Sequence, residues 1–426
     1  MQRRRFFPQA LAAGVVGGLA ITACGGGGDG SDDDQVALRY EWWGSDTRYQ
    51  LTEELVELFE EEHPNITIDH GYTEFDDYWD QLAVRTAGGD APDVMMQEER
   101  FLREYAERDT LADLNDYDID TSQIEDSLLE SGEFNDGLWG IPTGANIYSI
   151  MVDPQIFDDA GVEIPDDRTW TWEDYRETML AVAENTPDGV YGTGEFGFIE
   201  GPLNVWLRQN GQNMWTEDGE IGFDEELLAE LWEHHLELIE TGAAPPAGVA
   251  NERMGPEESL LATNEAAIDT FWSNQLHTLS NASGRDIELL RFPGEQEFER
   301  TGIYLKPAMA ISMSAETDHP EEAAIFIDWM LNSPEAGEII LSDRGLAANT
   351  EVRDHVEEHF DEADQITAEF LDEVEDEILD APPTPPIGAG AVTDLLERLN
   401  DEVLFGRMTP QEAAAQFMDE VEEIIG

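Results

Sequence analysis

The run Leu38-Arg39-Tyr40-Glu41-Trp42-Trp43-Gly44-Ser45-Asp46-Thr47-Arg48 brings together side chains that suit one kind of ligand. Trp42 and Trp43 stand where an alternating, strand-like pattern breaks at Gly44, and Asp46 and Arg48 follow at once. Flat rings cover apolar C–H faces, while carboxylates and guanidinium groups hydrogen-bond a rim of hydroxyls. A sugar presents both surfaces. Arg48 would in addition hold a carboxylate bidentately if the ligand were a uronic acid. Each residue also has a plainer reading. Strand alternation turns one of the two tryptophans into the core, and an arginine in a very acidic chain can be answered by one of the chain's own carboxylates.

Further candidates lie at similar places. Gln97 and Glu98 directly follow the apolar run Asp93-Val94-Met95-Met96, and a solvated loop is the alternative. Tyr148 comes shortly after Leu138-Trp139-Gly140-Ile141-Pro142. Trp272 ends the alternating run Ala266-Ala267-Ile268-Asp269-Thr270-Phe271. Tyr304 precedes Lys306, which is the chain's one lysine. That lysine is either a chance survivor or a charge the cleft needs. Trp206 and Trp215 read as helix packing. Catalysis has little to stand on: there is no Gly-x-Ser-x-Gly and the one cysteine is Cys24. His355-Val356-Glu357-Glu358-His359 matches H-x-x-E-H, but in a densely acidic helical stretch where no further ligand can be singled out. No enzyme activity, metal or cofactor is expected.

The elements that must position these residues alternate. Residues 36–42 read as a strand. Leu51, Leu55, Val56, Leu58 and Phe59 recur at helical spacing from about residue 50, and His63-Pro64-Asn65 stops that helix. Residues 66–70 form a second strand, 75–87 a helix and 93–96 a short buried strand. This is βαβαβ, hence a parallel sheet covered by helices, and ligands bind at the carboxyl ends of such strands. Ala381-Pro382-Pro383-Thr384-Pro385-Pro386 is a stiff linker before a final helical pair, residues 392–404 and 410–425.

Trp42-Trp43-Gly44, Leu55-Val56 with Phe59-Glu60 and Pro64-Asn65-Ile66, and Ala87-Gly88-Gly89-Asp90-Ala91-Pro92-Asp93-Val94 together resemble the opening of family 1 extracellular solute-binding proteins, the sugar-capturing subunits of ABC importers. Trp42 to Arg48 most resembles the branch that binds oligogalacturonides. Leu138 to Pro142 resembles the family's first lobe crossing. Phe157-Asp158-x-Ala160-Gly161-Val162 and Thr169-Trp170-x-Trp172 resemble the start of the second lobe. Tyr304-Leu305-Lys306-Pro307, His319-Pro320-Glu321 and Ser333-Pro334-Glu335 resemble the return to the first. The resemblance implies an α/β, two-lobed periplasmic-binding-protein fold of type II, each lobe a mixed, mostly parallel sheet flanked by helices. It implies an N-terminal lobe of residues 36–144 and 302–346 and a C-terminal lobe of 145–301 and 347–426. Hinges are expected near 143–147, 300–303 and 345–349. The implied function is capture of a sugar, with an oligosaccharide favoured, by hinge closure, and delivery to ABC permease subunits and their ATPase. A non-sugar solute such as a glycerol phosphate, a peptide or a metal, or a surface lectin without a transporter, is the alternative.

Composition sets the surroundings. The chain has 426 residues, too many for one ordinary core. It carries 97 acidic residues against 21 basic ones, a net charge of -76, spread along its length. A hydrophobic content of 41% is enough to fold, so the charge points to molar salt, where self-repulsion is screened, rather than to disorder. Nucleic acid is excluded as a partner for want of a basic patch. Residues 1–23 read as a targeting segment: Arg3-Arg4-Arg5-Phe6-Phe7 holds a twin-arginine pattern, and Ile21-Thr22-Ala23-Cys24 resembles a lipobox that would lipidate Cys24. Residues 24–35 then form a flexible acidic tether. The expected product is a monomer on the outer face of the cell membrane, held there by its lipid alone.

Overall fold

In Val36–Trp43 the large apolar side chains fall on alternate residues, and the strand buries them that way: Val36, Leu38, Tyr40 and Trp42 face the core. This strand is the centre of the first sheet. The structure is a computed structural model, and it describes residues 35–426 except Ser45, residues 195–199, Met254, Glu299 and Gly426. The targeting segment, Cys24 and the tether up to residue 34 lie outside the described residues.

The strands run β1 (Val36–Trp43), β2 (Ile66–Thr73), β3 (Val94–Gln97), β4 (Glu133–Phe134), β5 (Gly137–Leu138), β6 (Ile141–Pro142), β7 (Gly144–Val152), β8 (Tyr191–Thr193), β9 (Ala266–Trp272), β10 (Glu288–Leu290), β11 (Leu305–Pro307), β12 (Ala310–Met313) and β13 (Leu346–Ala347). The first sheet has the order β2-β1-β3-β12-β6. β1 is parallel to β2 and β3, joined through the helices Asp46–Glu62 and Phe75–Ala87, as the βαβαβ pattern predicts. The first helix starts at Asp46 rather than near residue 50. An acidic residue in its first turn faces the positive end of the helix dipole.

The second sheet has the order β10-β7-β9-β8, with β11 and β13 also paired to β7. Both sheets are mixed. β8 is parallel to β9, whereas β7 pairs antiparallel with β9, β10, β11 and β13, and β12 pairs antiparallel with β3 and β6. The pairings of β11, β12 and β13 arise where the chain comes back from the second sheet, whereas β9 and β10 pair with β7 inside it. All nine residues of β7 are buried. Its first residues lie beside both returning segments, with Ala145 opposite Pro307 on one side and Leu346 on the other. Gly144 permits this: a Cβ there would come within 2.1 Å of the Arg344 carbonyl oxygen.

Two large apolar clusters fill the interior, and the first runs on to the second sheet through Met151 and Leu289. The first gathers Leu38, Tyr40, Trp42, Phe59, Ile311 and Phe326. The other gathers Ile150, Tyr175, Trp206, Trp232, Leu396 and Phe417, and the predicted final helical pair, observed as Ala389–Leu404 and Pro410–Ile425, packs on the helix Glu225–Thr241 there. The acidic helix Glu362–Val374 packs against β10 and the helix Leu276–Ser283, while its Phe370, Leu371 and Val374 continue the first core.

Candidate functional site

β3 ends at Gln97, and the helix Glu99–Glu107 begins at once. Glu98 is its N-cap, accepting from the Arg100 backbone N–H at 2.9 Å, and Arg100 Nε lies 3.0 Å from both Glu98 oxygens. Lys306, on β11, reaches the same point: its Nζ is 2.8 Å from Glu99 Oε1 and 3.4 Å from Glu98 Oε1. The ammonium also sits 5.2 Å from the centroid of the Trp272 ring. Trp272 ends β9 opposite Tyr148 of β7, with ring centroids 4.8 Å apart, and meets Tyr304 edge-on at 6.0 Å. Tyr148 is fixed by donating its O–H to Thr270 Oγ1 at 2.9 Å. Sequence positions 98–100, 148, 272 and 304–306 therefore meet at one place.

Of these groups Glu99, Trp272, Tyr304 and Lys306 border a tight cleft. Glu99 and Ser131 line it from the first-sheet side, and Glu200, Asn204, Trp215 and Trp272 from the second. Gly201 lets the helix Glu200–Gln209 approach, since a Cβ there would stand 2.4 Å from the Tyr148 ring. The proline-rich segment, Pro382 to Pro385, closes one end, and Thr384 Oγ1 donates across to the Glu133 carbonyl at 3.2 Å.

Charge in the cleft is balanced locally. Burial opposes the Lys306 ammonium, but Glu99 and Glu98 outweigh it and hold its pKa above the ordinary lysine value. Burial likewise opposes the Glu98 carboxylate, yet Lys306 and Arg100 keep its pKa below the usual range. For Glu99 burial wins over Lys306 and its pKa is raised. A buried amide beside this cluster lacks protein partners among the described residues, at both side-chain atoms of Gln97; Asn146 Oδ1 lacks one too, but Asn146 lines a separate pocket with Ser273 and Gly345. Such groups are normally satisfied by water or ligand.

The other expected residues lie elsewhere. Trp42 is fully buried, stacked on Tyr40, His70, Tyr49 and Tyr72, so it belongs to the core and not to a ligand surface. Trp43 faces the opposite side, half-buried against Phe75, Tyr78 and Trp79, and Phe75 lies 6.0 Å from the Arg100 guanidinium. Arg48 braces the fold: Nε lies 2.7 Å from Asp343 Oδ2, and its other nitrogens donate to the carbonyls of Asp343 and Trp43. Asp46 is exposed and accepts from Tyr72 Oη–H. Of the ten expected ligand contacts, Glu98, Tyr148, Trp272, Tyr304 and Lys306 come together, with Gln97 beside them.

The sequence reading left out Glu99, Arg100 and Glu200, and took the proline segment only as a stiff linker. Glu99 and Arg100 were within reach, since a helix starting at the end of β3 must aim its first turn at that sheet edge. Trp215, read as packing, lines the cleft although it is nearly buried. Trp206 does pack, donating Nε1–H to the Leu227 carbonyl. In the H-x-x-E-H stretch, His355 pairs with Glu338 at 2.8 Å, and no group of three potential ligands is arranged for a metal among the described residues. No described helix is long and apolar enough to cross a membrane.

Two mixed sheets joined by adjacent segments over a polar, aromatic cleft are what the family resemblance implies. Residues 43–337 match the family model of bacterial extracellular solute-binding proteins. The chain belongs to that family. An uncharacterized lipoprotein of the oleD 5' region of Streptomyces antibioticus is 23% identical over 352 residues, which cover 78% of this chain and 74% of the relative. An oligogalacturonide binding protein from Yersinia enterocolitica, in complex with saturated digalacturonic acid, has a TM-score of 0.77 at 22% identity, covering 92% of this chain and 98% of its own. An ABC substrate-binding protein from Listeria monocytogenes, in complex with cycloalternan, has a TM-score of 0.75 at 22% identity, covering 92% and 99%. The solute-binding protein is thus a two-lobed, mixed α/β member of an extracellular, ABC-type family, and the family captures solutes rather than transforming them.

Proposed function

We propose that this solute-binding protein captures a sugar on the outer face of the cell membrane, anchored through a lipidated Cys24, and delivers it to an ABC permease. The lobes are residues 36–144 with 302–346 and residues 145–301 with 347–426, turning about the three segments that meet at Ala145. The sugar bridges both walls of the cleft and shifts the lobes towards closure. The closed form docks on the permease, and the protein works as a monomer.

The observation that carries this reading is the composition of the cleft wall. The half-buried Trp272 ring, held by Tyr148 and Tyr304, offers an apolar face beside the Glu98, Glu99 and Lys306 cluster and Glu200. Stacking plus charged hydrogen-bonding groups is the pairing that a sugar's faces and rim require. The Yersinia and Listeria proteins, each bound to a carbohydrate, support it by analogy of fold.

A thermal-shift screen of carbohydrates, peptides and metal ions in molar KCl tests it. A ligand at about 100 times its Kd stabilises the native state by about 2.7 kcal/mol, a readable rise in Tm. Trp272→Ala should weaken sugar binding roughly 30-fold, for a loss of about 2 kcal/mol of stacking and buried area. If a peptide or metal shifts the transition and no carbohydrate does, the reading is wrong.

A further inference from the structure

Recognition of a uronic acid needs a cation with free donors facing the ligand. Among the described residues each such cation is already engaged within the protein. Every arginine from Arg39 onward except Arg344, and Lys306 as well, lies 3.2 Å or less from a carboxylate oxygen of the protein itself. Arg344 is buried in the first core and donates to Tyr40 Oη at 2.9 Å and Thr52 Oγ1 at 3.1 Å. The residues after position 35 that the structure does not describe include no lysine or arginine.

The cleft repeats this pattern at short range. Its cations, Lys306 and Arg100, are held by Glu98 and Glu99. Glu200 adds a third carboxylate, whose one hydrogen-bond contact is with Thr393 Oγ1 at 3.4 Å. The local surplus is therefore negative, and it is rich in acceptors. Hydroxyl groups can donate to such acceptors. A ligand carboxylate would face Glu200 unpaired, or would have to displace Glu99 from Lys306 and leave that buried acid alone.

We infer that the cleft takes a neutral glycan and excludes uronic acids, although the Yersinia protein of the same fold is bound to digalacturonic acid. The inference rests on the sugar reading proposed above. Discrimination is local, set by the Glu98, Glu99 and Glu200 carboxylates around Lys306, and not by the overall charge.

Titration calorimetry of the folded protein in KCl, using matched pairs that differ only in the carboxylate, tests this. Galactobiose with digalacturonate, and xylobiose and cellobiose with their uronic counterparts, form the panel, with glucosamine oligomers as the cationic arm. A neutral member should bind at least about tenfold more tightly than its uronic partner, and equally so at about 1 M and about 4 M KCl, because surface charge is already screened at the lower salt. Glu99→Gln, which releases Lys306 from its nearest acid, should gain affinity for the uronic partner by about tenfold. Equal or tighter uronic binding by the parent, a preference that vanishes at the higher salt, tightest binding of the cationic arm, or no gain in Glu99→Gln would each overturn the inference while leaving a sugar-binding protein. No binding of any sugar would overturn the sugar reading itself.

Discussion

Replacing Lys306 by methionine removes the cation that Glu98 and Glu99 share while keeping most of the side-chain volume. Nζ lies 2.8 Å from one acid and 3.4 Å from the other, and the lysine and Glu99 side chains are only 17% and 21% exposed. Breaking a buried pair by removing one partner costs about 3–5 kcal/mol, most of it from the charge left behind. Arg100 remains on Glu98, and some of the surface is wet, so the low end applies and we expect a loss of about 3 kcal/mol at pH 8. Glu99 gives the loss a pH signature. Its folded-state pKa is already raised by burial, with Lys306 as the largest opposing influence. A carboxyl whose pKa is raised on folding contributes stability that is full below its unfolded pKa and lost as pH rises through the folded value. Without Lys306 that folded value climbs further, so the deficit should be largest at pH 8 and shrink towards about pH 4, near the unfolded glutamate pKa. Urea unfolding in molar KCl, followed by tryptophan fluorescence and far-UV circular dichroism together, measures it, and coincident curves justify a two-state reading. Adding Glu99→Gln to the methionine variant should restore most of the stability. A methionine variant within about 0.5 kcal/mol of the parent at pH 8, or a deficit that grows in acid, would refute this account of the cluster.

Two further predictions concern residues outside the cleft wall. Arg48→Ala should lower stability by about 2 kcal/mol, since it strips Asp343 of a 2.7 Å partner and leaves two carbonyls without their donor. Calorimetry on the variant should give an unchanged Kd for the sugar, and a selective loss of one sugar class would return Arg48 to the ligand site. Asp269, buried in β9 with one backbone N–H for company, has its pKa pushed up to about 7 by burial. Its contribution is present below about pH 4 and lost as pH rises through 7, so Asp269→Asn should gain on the parent by roughly 2–4 kcal/mol between pH 4 and pH 8. Equal Tm differences at the two pH values would rule that out.

The first sheet was legible because its periodicities are local. Residues 36–97 switch between period 2 and period 3.6, and the observed strands and helices follow within a few residues. The phase of β1 was also on the page, since Val36, Leu38, Tyr40 and Trp42 alternate with Ala37, Arg39 and Glu41. The same run assigns Trp42 to the core and Trp43 to the other face, so the tryptophan question could have been decided. Arg48 could not. Its partner Asp343 is 295 residues away, and in a chain with 97 acids no spacing marks which one will meet a given arginine. Asn146 and Lys306 face each other only because β11 returns to β7, a register that no local pattern encodes. The proline segment was readable as stiff, but its place against the Glu133 carbonyl depends on how the two halves meet.

The acids of this chain and the positions of its few cations are parts of one arrangement. Exposed ion pairs contribute little and fade further in salt, whereas buried ones are screened far less. Several buried cations tie together segments far apart in sequence. Arg208 and Arg291 are each about 1% exposed. Arg208 donates to the Gly302 carbonyl at 3.2 Å and to the Asp380 carbonyl at 2.9 Å, and Arg300 pairs with Asp380 at 2.8 Å. Arg291 lies 3.0 Å from Glu377 and 3.2 Å from Asp167. Arg48 grips Asp343, and Arg344 donates to Tyr40 and Thr52. Lys306 lies on β11, four residues after Gly302. Salt therefore acts unequally on the molecule. It should screen the repulsion across so acidic a surface, but leave these buried pairs close to full strength. Raising KCl should lift Tm steeply while barely changing sugar affinity, and those two responses can be read from the same titration series.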